Sequence, residues 1–139
     1  MSRGFETFDH TADIGIRAWG RDDLEVFEEA AKAVSSVMAD LSGVSVRQRS
    51  EISVTAESTE ELFLAWLKEL LFIFETKHLI LSEFKIETLT ANALKARVGG
   101  ETLDPKRHVL GREVKAVTMH QFKYVREPSR CSAEVILDI

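Results

Sequence analysis

The chain has 139 residues, 45% hydrophobic and 29% charged, the proportions of one ordinary globular domain over residues 1–139 and not of a disordered chain. Its 23 acids against 18 bases leave a net charge of −5, which argues against a general coat for nucleic acid. A lone cysteine, Cys131, excludes an internal disulfide framework and a cysteine-rich zinc site, and it suits a reducing compartment. Met1 to Glu6 holds no basic stretch followed by an apolar one, so no secretory signal is read there. The greasiest region, Leu62 to Phe74, is shorter than a membrane span needs and is interrupted by Lys68-Glu69. The expectation is a soluble, cytoplasmic protein with no membrane partner.

In chain order, Glu6 to Trp19 predicts one or two strands, with Ile14, Ile16 and Ala18 alternating against Gly15, Arg17 and Trp19. A first helix is expected from Asp22, whose carboxylate caps free amides while Glu25 reaches back as its capping-box partner. Leu24, Phe27, Ala31, Val34 and Met38 form its apolar stripe, and Leu41-Ser42-Gly43 ends it. Glu51 to Ala56 alternates as a strand. A second helix is expected from Ser58, again with a capping box to Glu61. It is apolar around most of its circumference, and only Glu61, Lys68 and Glu75 form a polar stripe, which makes it the core element. Phe84–Glu87 and Ala93–Val98 read as a hairpin, Gly99-Gly100 as a turn, and Val114–Met119 and Cys131–Ile139 as further strands. The last third is all strand, so the pattern is α+β: a two-layer α/β sandwich with two main helices packed on one face of a mixed, largely antiparallel sheet.

Charge is unevenly spread. Residues 106–130 hold seven bases (Lys106, Arg107, Arg112, Lys115, Lys123, Arg126 and Arg130) and only two acids, Glu113 and Glu127. Such a run suits a solvated face, an acidic partner surface or a phosphate. No glycine-rich phosphate loop is present.

Three clusters could carry chemistry. Asp9-His10-Thr11-Ala12-Asp13 sets two carboxylates, an imidazole and a hydroxyl at a strand junction, suited either to an Asx-type turn or to a hard cation and proton transfer. Val135-Ile136-Leu137-Asp138-Ile139 is an apolar strand that would hold Asp138 and the α-carboxylate of Ile139 together, as a pair of anions on a cation or as a solvated sheet edge. The third cluster is Lys115 to His120, preceded by His108. Alternation there would put Ala116, Thr118 and His120 on one face, and the two histidines could be ligands, acid–base groups or structural hydrogen-bonders. Cys131 reads as a small core residue.

Taken together, the pieces resemble the archease family along nearly the whole chain. The resemblance rests on His10-Thr11-Ala12-Asp13-Ile14-Gly15, the helix Leu24 to Met38, Ala65-Trp66-Leu67-Lys68-Glu69-Leu70-Leu71 and Gly100-Glu101-Thr102-Leu103-Asp104. It continues through His108, Glu113-Val114-Lys115-Ala116-Val117-Thr118 with His120, and Val135-Ile136-Leu137-Asp138-Ile139. It implies an accessory protein, not a stand-alone enzyme, that assists an RtcB-type RNA ligase in joining tRNA halves. The helper would promote guanylylation of the ligase by GTP, support its multiple turnover and widen its nucleotide choice. The resemblance also implies a divalent metal ion, Ca²⁺ or Mg²⁺ with calcium favoured, on Asp13, Asp138 and Ile139, with His10, Lys115 and His120 as partner-facing or supporting residues. Two positions depart from the family pattern. Met119 stands where an aromatic is usual and Cys131 near a usual Trp, and both read as packing positions. The competing readings are a small metal-dependent phosphate-ester hydrolase using Asp13, Asp138, His10 and Lys115, and a general chaperone or adaptor.

Overall fold

The computed structural model describes residues 2–139. The strands divide between two sheets. Strands β1 (Gly4–His10), β2 (Asp13–Gly20) and β8 (Arg130–Asp138) run antiparallel side by side. The free edge of β8 is shared by β6 (Ala116–Val117) and β7 (Lys123–Glu127), which makes a five-stranded sheet. Strands β3 (Gln48–Thr55), β5 (Ala93–Thr102) and β4 (Leu79–Leu89) form a separate antiparallel sheet in that order. Helix α1 (Asp23–Met38) lies across β1, β2 and β8 and reaches β4, whereas α2 (Thr59–Lys77) packs on β3, β4, β5 and β6. The α+β class with two main helices is as expected. The division into two sheets follows from registers that join distant segments, which alternation within each segment does not record.

Both helices start at the expected caps: Asp22 accepts the Glu25 N–H at 3.0 Å, and Ser58 accepts the Glu61 N–H at 3.2 Å. The returning glutamates reach one residue further back than a capping box would place them. Glu25 accepts from the Arg21 amide and Glu61 from the Glu57 amide, so the amide before each cap is the one satisfied. Helix α2 is the core element, with Leu62, Phe63, Trp66 and Leu67 fully enclosed. Phe72 joins its solvated stripe beside Lys68 and Glu75 and is 57% exposed.

Three strand expectations change. Gly99 and Gly100 are not a turn but lie inside β5, where Gly100 pairs with Leu81 next to a register shift in β4. A Cβ on Gly100 would sit 1.8 Å from the Ile80 carbonyl oxygen, so the glycine is there for backbone approach at a bulge. The expected strand Val114–Met119 contracts to Ala116–Val117, and past Thr118 the chain turns away, with the His120 N–H donating to the Thr118 hydroxyl at 3.3 Å and Gln121 in the left-handed region at φ 52°. The alternation that would align Ala116, Thr118 and His120 is therefore broken. Strand β7 was not anticipated, since Lys123–Glu127 has little apolar alternation to mark it. Met119 is no packing position: it is 69% exposed, while Cys131 is buried as expected.

Candidate functional site

Strand register builds the site from both ends of the sequence. β1 and β2 are joined by the two-residue turn Thr11-Ala12, with Ala12 in the left-handed region at φ 64°, and His10 pairs with Asp13 across it. In the next ladder Ile14 pairs with Leu137, so Asp13 stands beside Asp138 at the following step. Asp138 in turn pairs with Ala116 on β6. Directly opposed residues of adjacent strands share a face, so His10, Asp13 and Asp138 form one row on the side of the sheet away from α1. Asp138 lies on an inner strand, which overturns the sheet-edge reading, and both aspartates are half-buried.

A cleft of about 290 Å³ opens at this end of the sheet, lined by Asp9, His10, Thr11, Ala12, Asp13, Arg112 and Ile139. Thus Asp13, His10 and Ile139 share one hollow, and Asp138 is their neighbour by register. His10 Nε2 lies 3.0 Å from Gln121 Oε1, its ring meets His120 edge-on at 5.6 Å, and its Nδ1 is 3.8 Å from Asp13 Oδ2. That Nδ1 is buried with no hydrogen-bond partner among the described residues. Gln121 is itself held at φ 52°, so two left-handed non-glycine residues flank this histidine. Lys115 is exposed, and its backbone N–H donates to the Asp138 carbonyl at 2.7 Å. Among the described residues, no group of three or more His, Cys, Asp or Glu side chains converges as a metal site.

Arg112 and Gln121 were missed by sequence reasoning. Nothing in the sequence separates Arg112 from the six other bases of its run, and Gln121 needs the tertiary fold to meet His10. Three of the seven bases of the run are paired within the molecule. Arg126 pairs with Asp23 at 3.1 Å, Lys123 with Glu134 at 3.9 Å, and Arg107 with Glu101.

His108 is a buried structural histidine whose partners are not those of His10 and His120. Its Nδ1 accepts the Asp104 N–H at 2.9 Å, which leaves the ring proton on Nε2, 3.2 Å from Glu101 Oε2. Glu101 is 2% exposed and also accepts the Ser45 N–H at 2.6 Å, with Arg47 and Arg107 beside it. The Ser45 amide above all, then His108 and Arg107, hold its carboxyl down at about 2, outweighing the burial that pushes the other way. This network fixes the start of the strap Leu103 to Lys115, which then passes the end of α1. The Gly111 and Arg112 amides donate to the Met38 and Val37 carbonyls at 2.8 Å each, capping that helix end before Arg112 reaches the cleft.

The profile of the Archease protein family (MTH1598/TM1083) matches residues 5–139. The chain belongs to the archease family. It is 39% identical to the protein archease of Methanothermobacter thermautotrophicus over 147 residues, covering 99% of each chain. It is 36% identical to that of Sulfurisphaera tokodaii over 136 residues, covering 97% of this chain and 98% of the relative. In three dimensions it is similar to the solution structure of Methanobacterium thermoautotrophicum protein 1598, with a TM-score of 0.85 and 40% identity over 98% of this chain and 99% of that one. A crystal structure from Thermotoga maritima, described as an archease and possible chaperone, shares the fold with a TM-score of 0.68 at 22% identity, over 96% of each chain. Among the described residues, no helix is long and apolar enough to cross a membrane.

Proposed function

We propose that this archease-family protein is a cytoplasmic accessory factor of an RtcB-type RNA ligase, promoting its guanylylation by GTP and its repeated turnover in joining tRNA halves, with an effect on its nucleotide choice. The observation that carries the reading is the row His10–Asp13–Asp138, read from the β1–β2 and β2–β8 registers, beside a cleft that also holds Ile139. Like charges directly opposed on adjacent strands repel each other, and a bound cation removes that cost. The donors here are hard oxygens, which fit Ca²⁺ or Mg²⁺ and not zinc, with water completing the shell. Asp13, Asp138 and the main-chain oxygens of Ile139 would hold the ion, which when bound supplies charge to neutralise phosphate. His10, held by Gln121, stands beside Asp13, and Arg112 on the cleft and the exposed Lys115, bonded through its amide to Asp138, add positive charge around the row. With no nucleotide loop of its own, the chain acts by presenting this end to the ligase.

The test is ligase guanylylation with radiolabelled GTP, with and without substoichiometric amounts of this protein. The native chain should raise both the ligase–guanylate intermediate and the number of turnovers. Asp13→Ala and Asp138→Ala should fold normally and lose the stimulation together with Ca²⁺ or Mg²⁺ binding. If both variants stimulate like the native protein, the acidic row is not the working part.

A further inference from the structure

The strap that delivers Arg112 also carries two apolar side chains held away from the core. Val109 and Leu110 are 66% and 49% exposed, although their backbone is pinned. The Val109 carbonyl accepts the Asp40 N–H at 2.9 Å, Leu110 bridges to Ala39, and the Gly111 amide caps Met38. At Gly111 the strap approaches α1 so closely that a Cβ would sit 2.3 Å from the Val37 carbonyl oxygen. These side chains are therefore displayed by rigid backbone, so covering them costs little ordering. They form one wall of a largely apolar hollow of about 510 Å³, whose other walls include Phe5, Leu41 and Asp40. Gly111 lines this hollow and Arg112 the acidic cleft, so the two concavities adjoin along one strap. On the other side of the cleft, Met119 is 69% exposed and immediately precedes the His120 ring that meets His10. Three of the five large hydrophobic side chains exposed among the described residues thus flank one acidic end.

We infer that the Val109–Leu110 hollow is the docking surface for the ligase, taking an apolar side chain from a protein segment whose neighbouring residues are basic. The inference rests on the ligase reading above and adds the surface that makes the contact. Charge chooses the occupant: among the residues that line the two concavities, Asp40 stands on the hollow and Asp9 and Asp13 on the cleft, and Arg112 is their one arginine or lysine. Continuity supports it as well, because Gly111 and Arg112, consecutive in the strap, line the hollow and the acidic cleft in turn. Adjacent apolar patches of this kind mark interaction surfaces.

The experiment titrates this protein into the ligase guanylylation reaction and reads the half-maximal stimulating concentration. The double variant Val109→Ser/Leu110→Ser should keep the native melting point and the native Ca²⁺ or Mg²⁺ affinity. It should reach the native plateau, but only at a concentration at least about tenfold higher, as expected when a contact worth about 1.4 kcal/mol is lost. Phe72→Ser, which removes an exposed apolar side chain outside both concavities, should leave the titration unchanged. A half-maximal point within twofold of native for the double variant, or an equal shift for Phe72→Ser, overturns the docking surface while the ligase reading stands. A native protein that stimulates no ligase overturns both.

Discussion

Replacing Trp66 by Phe takes one hydrogen bond and one ring from the enclosed core between the two helices. Trp66 is 0% exposed, and its Nε1–H donates to the Phe27 carbonyl of α1 at 2.9 Å. The Phe27 ring also meets that of Phe63 of α2 edge-on at 5.2 Å, so α2 is tied here to the helix that covers the other sheet. The Phe27 oxygen keeps its place in the α1 ladder, so losing the indole costs the net worth of one hydrogen bond, about 1 kcal/mol, and not a full desolvation penalty. The vacated pyrrole space adds a transfer and cavity cost of about 1–2 kcal/mol. The total of about 2–3 kcal/mol corresponds to a melting point lower by about 7–10 °C for a chain of this size. Far-UV dichroism in urea is the suitable probe, because fluorescence changes when one of the two tryptophans is removed. Trp66→Asp should not fold, since it places an unpaired charge at the same point. A Phe variant as stable as native, or an Asp variant that keeps its dichroism and melting point, would refute this packing.

Gly100→Ala should cost about 2–3 kcal/mol in the same urea assay, because β4 must move to free the 1.8 Å approach to the Ile80 oxygen. Glu101→Gln should be less stable than native at neutral pH, and the gap should close as pH falls. A carboxyl held at about 2 when folded against the usual 4.5 takes up protons on unfolding, so its stabilisation is present above about 4.5 and is lost between there and 2. Cys131 is buried and burial pushes its thiol up, so a thiol reagent should label it slowly in the native protein and rapidly in denaturant.

What the sequence disclosed was governed by how local each cause is. Asp22 and Ser58 cap helices through amides three residues away, so their roles are visible in a short window. The apolar faces of α1, α2, β2 and β8 follow from period alone. Gly99-Gly100 misled because two glycines in succession ordinarily mark a turn, and the cause of their presence is a bulge in β4. The basic run was legible as charge but not as structure. Its partners Asp23, Glu101 and Glu134 lie on three other elements, and pairing with them leaves Lys106, Arg112, Lys115 and Arg130 without a carboxylate within salt-bridge distance among the described residues.

The candidate site was legible only as separate halves. Residues 9–13 and 135–139 each read as a cluster with a bland alternative, and resemblance to the archease family supplied the link between them. The physical link is register. Once Ile14 pairs with Leu137, the period of two along each strand leaves Asp13 and Asp138 no choice but adjacent strands and the same face. A one-residue slip of either strand would turn its aspartate to the opposite face and carry its nearly fully buried residues out to solvent, Ile16 and Ala18 from β2 or Val135 and Leu137 from β8. The apolar core therefore enforces the acidic row: the burial that makes β2 and β8 neighbours also maintains two like charges side by side. Charges kept together in this way acquire a purpose when a cation or a basic partner meets them. The strap from Leu103 to Lys115 sets Arg112, Val109 and Leu110 beside that same end, where such a partner would arrive.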